Sequence, residues 1–95
     1  MFLAFLRIEG HSMSPFLKPQ DIVFASSIPY FFSNPKVGDV VVTRINGKNI
    51  IKRISSTLQE KYYLEGDNKN DSMDSKNFGP VLKKNIVGKV IFSFS

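Results

Sequence analysis

Ninety-five residues with 42% hydrophobic and 13% aromatic content suffice for one small domain with a modest core. The chain has no cysteine and a single histidine, His11, which excludes disulfides, thiolate zinc sites and multi-histidine metal centres. A net charge of +5 and a pI near 9.6 favour negatively charged surroundings, yet the thirteen Lys and Arg are spread thinly, with short clusters at Lys52-Arg53 and Lys83-Lys84.

The N-terminal run "MFLAFLRIE" predicts a strand over Phe2–Glu9. It is too short for a bilayer span, which needs roughly 20 residues, and it has neither a basic leader nor a cleavage-site pattern. The chain is therefore expected to carry no signal, anchor or transmembrane segment, which leaves its compartment open between the cytoplasm and the membrane periphery. A turn around "GHSMSP" separates this strand from a second at Asp21–Ala25. The following "SIPYFF" (Ser27–Phe32) has two readings: contact with a membrane surface through Ile28–Phe32, or Phe31 and Phe32 filling the core.

The clearest local signal is "VVVTRINGKNIIKRI". Asn46-Gly47 supplies the positive φ angles of a type I′ turn, so strands at Asp39–Ile45 and Asn49–Ser55 should pair as a hairpin. Alternation then places Ile50 and Lys52 on one face, Ile51 and Arg53 on the other. Further strands are predicted at Lys61–Glu65 and Ile86–Phe92, separated by Gly66–Pro80, a stretch dense in loop formers and long for so small a domain. The expected architecture is all-β, one domain over residues 1–95, built from hairpins and a long loop with little or no helix.

Chemistry can be sought at Ser12. A serine hydroxyl is a poor nucleophile until a base takes its proton. His11 is adjacent, and neighbouring side chains in an extended segment point to opposite faces, so a Ser-His-Asp triad is disfavoured and His11 reads as a partly exposed filler. A lysine can serve as the base only where apolar neighbours strip its ammonium of water. Lys52 alone lies among Ile50, Ile51 and Ile54; the residues themselves leave it between that role and a solvated position on a polar strand face.

Three motifs in order decide the emphasis. "GHSMSPFLKPQDIV" (Gly10–Val23), "VGDVVV…IIKRI" (Val37–Ile54) and "LEGDNKNDSMDSKNFGPV" (Leu64–Val81) resemble type I signal peptidases and their smaller relatives, among them the proteases that mature nickel-type superoxide dismutase. The resemblance runs from about Ile8 to Phe92. It implies a Ser/Lys endopeptidase on the all-β fold shared by signal peptidases and LexA-type domains, with no cofactor and no metal. Ser12 matches the nucleophile and Lys52 the general base. The oxyanion and supporting positions match Gly10 and Met13, and Ser72 and Asp74 in the third motif. Gly66-Asp67-Asn68 matches the turn that brings that loop beside the site.

Substrate is then expected to be a precursor protein, bound as an extended strand along Ile8, Glu9, Ile50 and Ile51 and cut after small residues to remove a signal or pro-segment. The sequence departs from the family pattern at Gln20, where glycine is usual, at Lys76, where arginine is usual, and at Gly10, where some members have serine. The short stretch between Lys52 and "YYLEGDN" leaves no room for the extra β-domain of the large bacterial enzymes. Rival readings are a LexA-like self-cleaving domain, a non-catalytic relative and a small basic nucleic-acid-binding β-barrel. The last should interleave exposed aromatics with basic residues on one sheet face; "KRI" and "KYY" only hint at this, and no nucleic acid is expected.

Overall fold

The computed structural model describes residues 1–68 and 79–95. Seven strands form one antiparallel sheet: β1 (Leu3–Arg7), β2 (Ile22–Ser26), β3 (Val40–Ile45), β4 (Lys48–Leu58), β5 (Lys61–Glu65), β6 (Val81–Leu82) and β7 (Ile86–Phe94). A single helical turn, α1 (Pro29–Phe32), and a 3₁₀ turn at Lys83–Asn85 are the helical pieces among the described residues. The all-β expectation holds, and the six anticipated strands appear within a few residues of their expected bounds. The seventh, β6, has two residues and no pattern of its own to read.

The strand order is β1-β2-β7-β3-β4-β5-β6, so the last strand inserts between the second and third. This places β3 and β4 in the interior of the sheet. Residues Val40 to Thr43 of β3 are all buried, as a strand covered on both faces requires. The hairpin turn forms as its sequence predicts, with Asn46 at φ 52 and Gly47 at φ 79, and it sets the pairs Val41↔Lys52 and Val40↔Arg53.

The β4–β5 turn has the same left-handed geometry without the same residues: Gln59 lies at φ 50 and Glu60 at φ 65. Register shifts between Phe24 and Ala25, between Val42 and Thr43, and between Ile54 and Ser56 mark bulges that curl the sheet. At Gly88, β7 approaches β2 so closely that an added Cβ would stand 3.2 Å from the Ser26 carbonyl carbon.

Curling divides the core in two. One cluster holds Val41, Ile54, Tyr62, Leu64, Val81 and Ile86. The other holds Ile8, Met13, Leu17, Val23 and Val40, with Leu6, Ile51 and Val90 packed against it. Adjacent residues Val40 and Val41 of β3 thus serve opposite cores, and so do Ile51 and Ile54 of β4. No helix among the described residues is long and apolar enough to cross a membrane.

The two readings of Ser27–Phe32 separate by residue. Tyr30 packs against the first cluster and its hydroxyl donates to Asp39 Oδ2 at 2.7 Å. Phe31 and Phe32 instead stand 61% and 85% exposed, which overturns the core-filling alternative for both. A four-residue helix cannot bury two consecutive aromatics on the same face as Tyr30, because neighbours on a helix diverge by about 100°.

Candidate active site

Ser12 lies on the turn between β1 and β2. Met13 and Leu17, 2% and 0% exposed, anchor this turn in the second core, and the Leu17 N–H donates to the Met13 carbonyl at 2.9 Å. Flanking bonds run from Ile8 N–H to the Asp21 carbonyl at 2.7 Å and from Gln20 N–H to the Ile8 carbonyl at 2.9 Å. The nucleophile candidate is therefore held at a neck closed by backbone bonds on both sides. Gln20 sits at φ 76, a left-handed position that suits glycine, and this accounts physically for the family's usual residue there.

A cleft of about 220 Å³ opens beside Ser12, lined by Arg7, Ile8, Glu9, Met13, Asn49, Ile50 and Ile51. All four residues expected to contact substrate, Ile8, Glu9, Ile50 and Ile51, thus line one cleft with Ser12. Its β4 wall has a property that sequence did not reveal. Pairing between β4 and β5 begins only at Arg53↔Glu65, so among the described residues β4 before Arg53 is paired along one edge, by β3. The opposite edge of Asn49 to Ile51 faces the cleft, with backbone donors and acceptors of the kind an added strand can use.

Lys52 follows immediately and is 3% exposed, on the same face as Ile54 and opposite Val41. The solvated alternative for this lysine is thereby removed. Gly10, at φ +75, is exposed and has open space where a side chain would begin. His11 is exposed too, and contributes its carbonyl to the Ser14 N–H at 3.0 Å. Ser72, Asp74 and Lys76 lie outside the described residues.

Arg53 is the residue that sequence reasoning passed over. Its Nε and Nη2 each donate at 2.9 Å to the two carboxylate oxygens of Asp67, and Nη1 donates to the Gly38 carbonyl at 2.9 Å. The guanidinium also lies 4.8 Å from the Phe16 ring centroid. The forked bond to Asp67 raises the Arg53 pKa above its already high ordinary value, against a smaller opposing effect of burial. One residue past Asp67, the Asn68 N–H donates to the Ser12 carbonyl at 2.8 Å. Arg53 thus ties together the Ser12 turn, through Phe16, the Gly38 turn before β3 and the Gly66–Asn68 turn after β5. The available signal was the alternation that sends Arg53 to the face opposite Lys52.

The family model described as peptidase S24-like matches residues 2–91. This chain belongs to that family. It is 30% identical to mitochondrial inner membrane protease subunit 1 of Mus musculus, over 88% of this chain and 64% of that protein. It is 37% identical to signal peptidase I V of Bacillus subtilis, over 90% of this chain and 44% of that protein. A probable thylakoidal processing peptidase 2 of Arabidopsis thaliana is 30% identical over 92% of this chain and 36% of its own length. The chain spans from about a third to just under two thirds of these relatives. The type I signal peptidase resemblance holds at the level of family; the narrower likeness to superoxide dismutase maturation proteases has no counterpart in these matches.

Proposed function

We propose that this protein is a serine endopeptidase that removes N-terminal signal or pro-segments from precursor proteins, with Ser12 as nucleophile and Lys52 as general base. The observation that carries the reading is the cleft in which Ser12 meets an unpaired edge of β4, one residue before a lysine shielded from water. Substrate enters as an extended strand between residues 7–9 and residues 49–51 and completes the β4 edge.

Burial disfavours the ammonium, so the amine of Lys52 holds a lone pair ready for the Ser12 proton. As Ser12 Oγ bonds to the scissile carbonyl carbon, its proton passes to Lys52 Nζ. The Ser12 N–H supplies one oxyanion donor, a contribution of roughly 3–4 kcal/mol. Collapse returns the proton to the leaving amine, and the acyl-enzyme is released by a water that Lys52 deprotonates. Small side chains fit beside a cleft narrowed by Ile8 and Ile50.

Contact with a membrane surface through Ile28–Phe32 belongs to the same reading, since Ile28, Phe31 and Phe32 all project from the fold. A second aromatic surface runs across β1, β2 and β7, where Phe5 and Phe24 lie 5.1 Å apart and Phe24 and Phe92 5.3 Å apart between ring centroids.

The deciding experiment incubates a signal-peptide-bearing precursor with wild type, Ser12→Ala and Lys52→Ala. Cleavage by the wild type and its loss in both variants is the expected result. Undiminished cleavage by either variant overturns the dyad.

A further inference from the structure

The charges that line the Ser12 cleft come from one wall. Arg7 and Glu9 stand on the β1 side, while β4 contributes Asn49, Ile50 and Ile51. Ile8, between the two charged residues, is buried in one cluster with Met13, and Ile51 packs against that cluster. Alternation therefore sends Arg7 and Glu9 to the outer side of the cleft and leaves its core side apolar. Both are exposed, and among the described residues neither takes part in an ion pair. Arg7 Nη1 reaches Gln20 Oε1 at 3.5 Å, which leaves its other donors open. Glu9 makes no side-chain hydrogen bond among the described residues.

Strand directions decide what these side chains meet. β1 pairs antiparallel with β2, β2 with β7, β7 with β3 and β3 with β4, so β1 and β4 run the same way. β1 ends the sheet order, and β4 before Arg53 is open on the side away from β3. A substrate strand laid between these two edges is thus parallel to both or antiparallel to both. The inference rests on the peptidase reading, in which small side chains on the acyl side of the cut occupy the cleft. The substrate then runs towards Ser12 in the same direction as β1. Side chains one and three residues before the cut turn to Ile8, Met13 and Ile51. Those two and four residues before it turn outward, beside Glu9 and Arg7.

We propose that Glu9 and Arg7 give the cleft a charge preference: a basic side chain two residues before the cut, beside Glu9, and an acidic one four residues before it, beside Arg7. Glu9 is the nearer of the two to Ser12 along the chain, which sets the order. A bound strand completes the β4 edge and displaces water, so each pair interacts more strongly than on an open surface. A side chain of the wrong sign is repelled at either place, so rejection contributes to the selection as well as attraction. Arg44 is engaged elsewhere on the hairpin, where its Nε donates to Asn49 Oδ1 at 3.1 Å.

The test compares kcat/KM for peptides that keep small residues one and three before the cut and carry Lys, Gln or Glu at the second or the fourth position. At the second position the wild type should favour Lys over Glu by about fivefold to tenfold, and at the fourth Glu over Lys by a similar factor. Glu9→Lys should invert the order at the second position and leave the fourth as it was; Arg7→Glu should do the opposite. Both preferences should shrink in about 0.5 M salt, which a purely structural role of these side chains would not produce. Equal values for the three peptides in the wild type, or an order that both variants leave in place, overturn the preference and spare the peptidase reading. A second-position order governed by Arg7 overturns the strand direction and with it the assignment. A wild type that cuts none of the peptides overturns the peptidase reading and this inference together.

Discussion

Arg53 and Asp67 meet fork to fork, with two bonds of 2.9 Å, one residue away from Lys52 on one side and from Asn68 on the other. Asn68 in turn donates to the Ser12 carbonyl. A part-buried ion pair of this kind contributes modest stability by itself, so its weight lies in alignment. Arg53→Lys keeps the charge but loses the planar fork and the stack on Phe16. We expect a stability loss of about 1 kcal/mol by denaturant titration, and a larger effect on cleavage, about tenfold in kcat. A variant that loses stability while kcat stays at the wild-type value would show that the pair is structural alone.

Lys52→Met replaces a buried amine by an apolar chain of similar length. With the amine gone, cleavage should vanish while the melting temperature near neutral pH rises, because the folded state no longer has to strip a charge of water. The sign follows from linkage. On the proposed dyad, Lys52 is neutral when folded and binds fewer protons than in the unfolded chain, so its share of stability grows as pH rises through the interval between the two pKa values. Wild-type stability and cleavage should both climb from mildly acidic to mildly alkaline pH, and the stability slope should flatten in Lys52→Met. Calorimetry of the two proteins across that range provides the measurement.

How far the sequence could be read depended on whether a feature was local. The Asn46-Gly47 hairpin was legible because a two-residue turn fixes the register of its strands, and that register put Lys52 on a definite face. The cleft-lining residues Ile8, Glu9, Ile50 and Ile51 followed from the family resemblance, which singles out the stretches leading into Ser12 and Lys52; alternation alone sets Ile50 and Ile51 on opposite faces. Pairing across long separations was not legible: β7 between β2 and β3, the late start of β5 pairing that exposes β4, and the Arg53–Asp67 fork all depend on how the sheet closes. Phe31 and Phe32 were ambiguous for the same reason, since composition alone cannot say whether a core has room for them.

Three described positions hold left-handed backbone without glycine or asparagine. Gln59 at φ 50 and Glu60 at φ 65 form the β4–β5 turn, and Gln20 at φ 76 closes the neck below Ser12. Replacing each by glycine should stabilise the fold by about 0.5–1 kcal/mol, the relief of left-handed strain less the entropy that glycine adds to the unfolded chain. For a domain of this size that corresponds to a rise of a few degrees in Tm. Glu60→Gly, remote from the cleft, should leave cleavage unchanged. A fall in Tm for Glu60→Gly would mean that its side chain contributes more than the turn geometry costs.

Tyr30 and Asp39 give the alkaline side of the stability profile. Burial, then the hydrogen bond to Asp39 and the nearby negative charge, raise the Tyr30 pKa well above its ordinary value of 10.0. Asp39 Oδ2 also accepts the Lys36 N–H at 3.1 Å, and Oδ1 lies 3.6 Å from Lys89 Nζ, so the phenol belongs to a shared cluster beneath α1. Above pH 10 the unfolded chain releases the Tyr30 proton and the folded chain keeps it. The folded state then binds more protons than the unfolded, and stability falls as pH rises. Tyr30→Phe should lose about 1–2 kcal/mol at neutral pH, because a bond to a charged acceptor is removed while the ring remains packed. It should also decline less steeply above pH 10 than the wild type. Urea denaturation at pH 7, 9 and 11 distinguishes the outcomes: parallel decline in both proteins would assign the alkaline loss to the lysines and leave Tyr30 a packing residue.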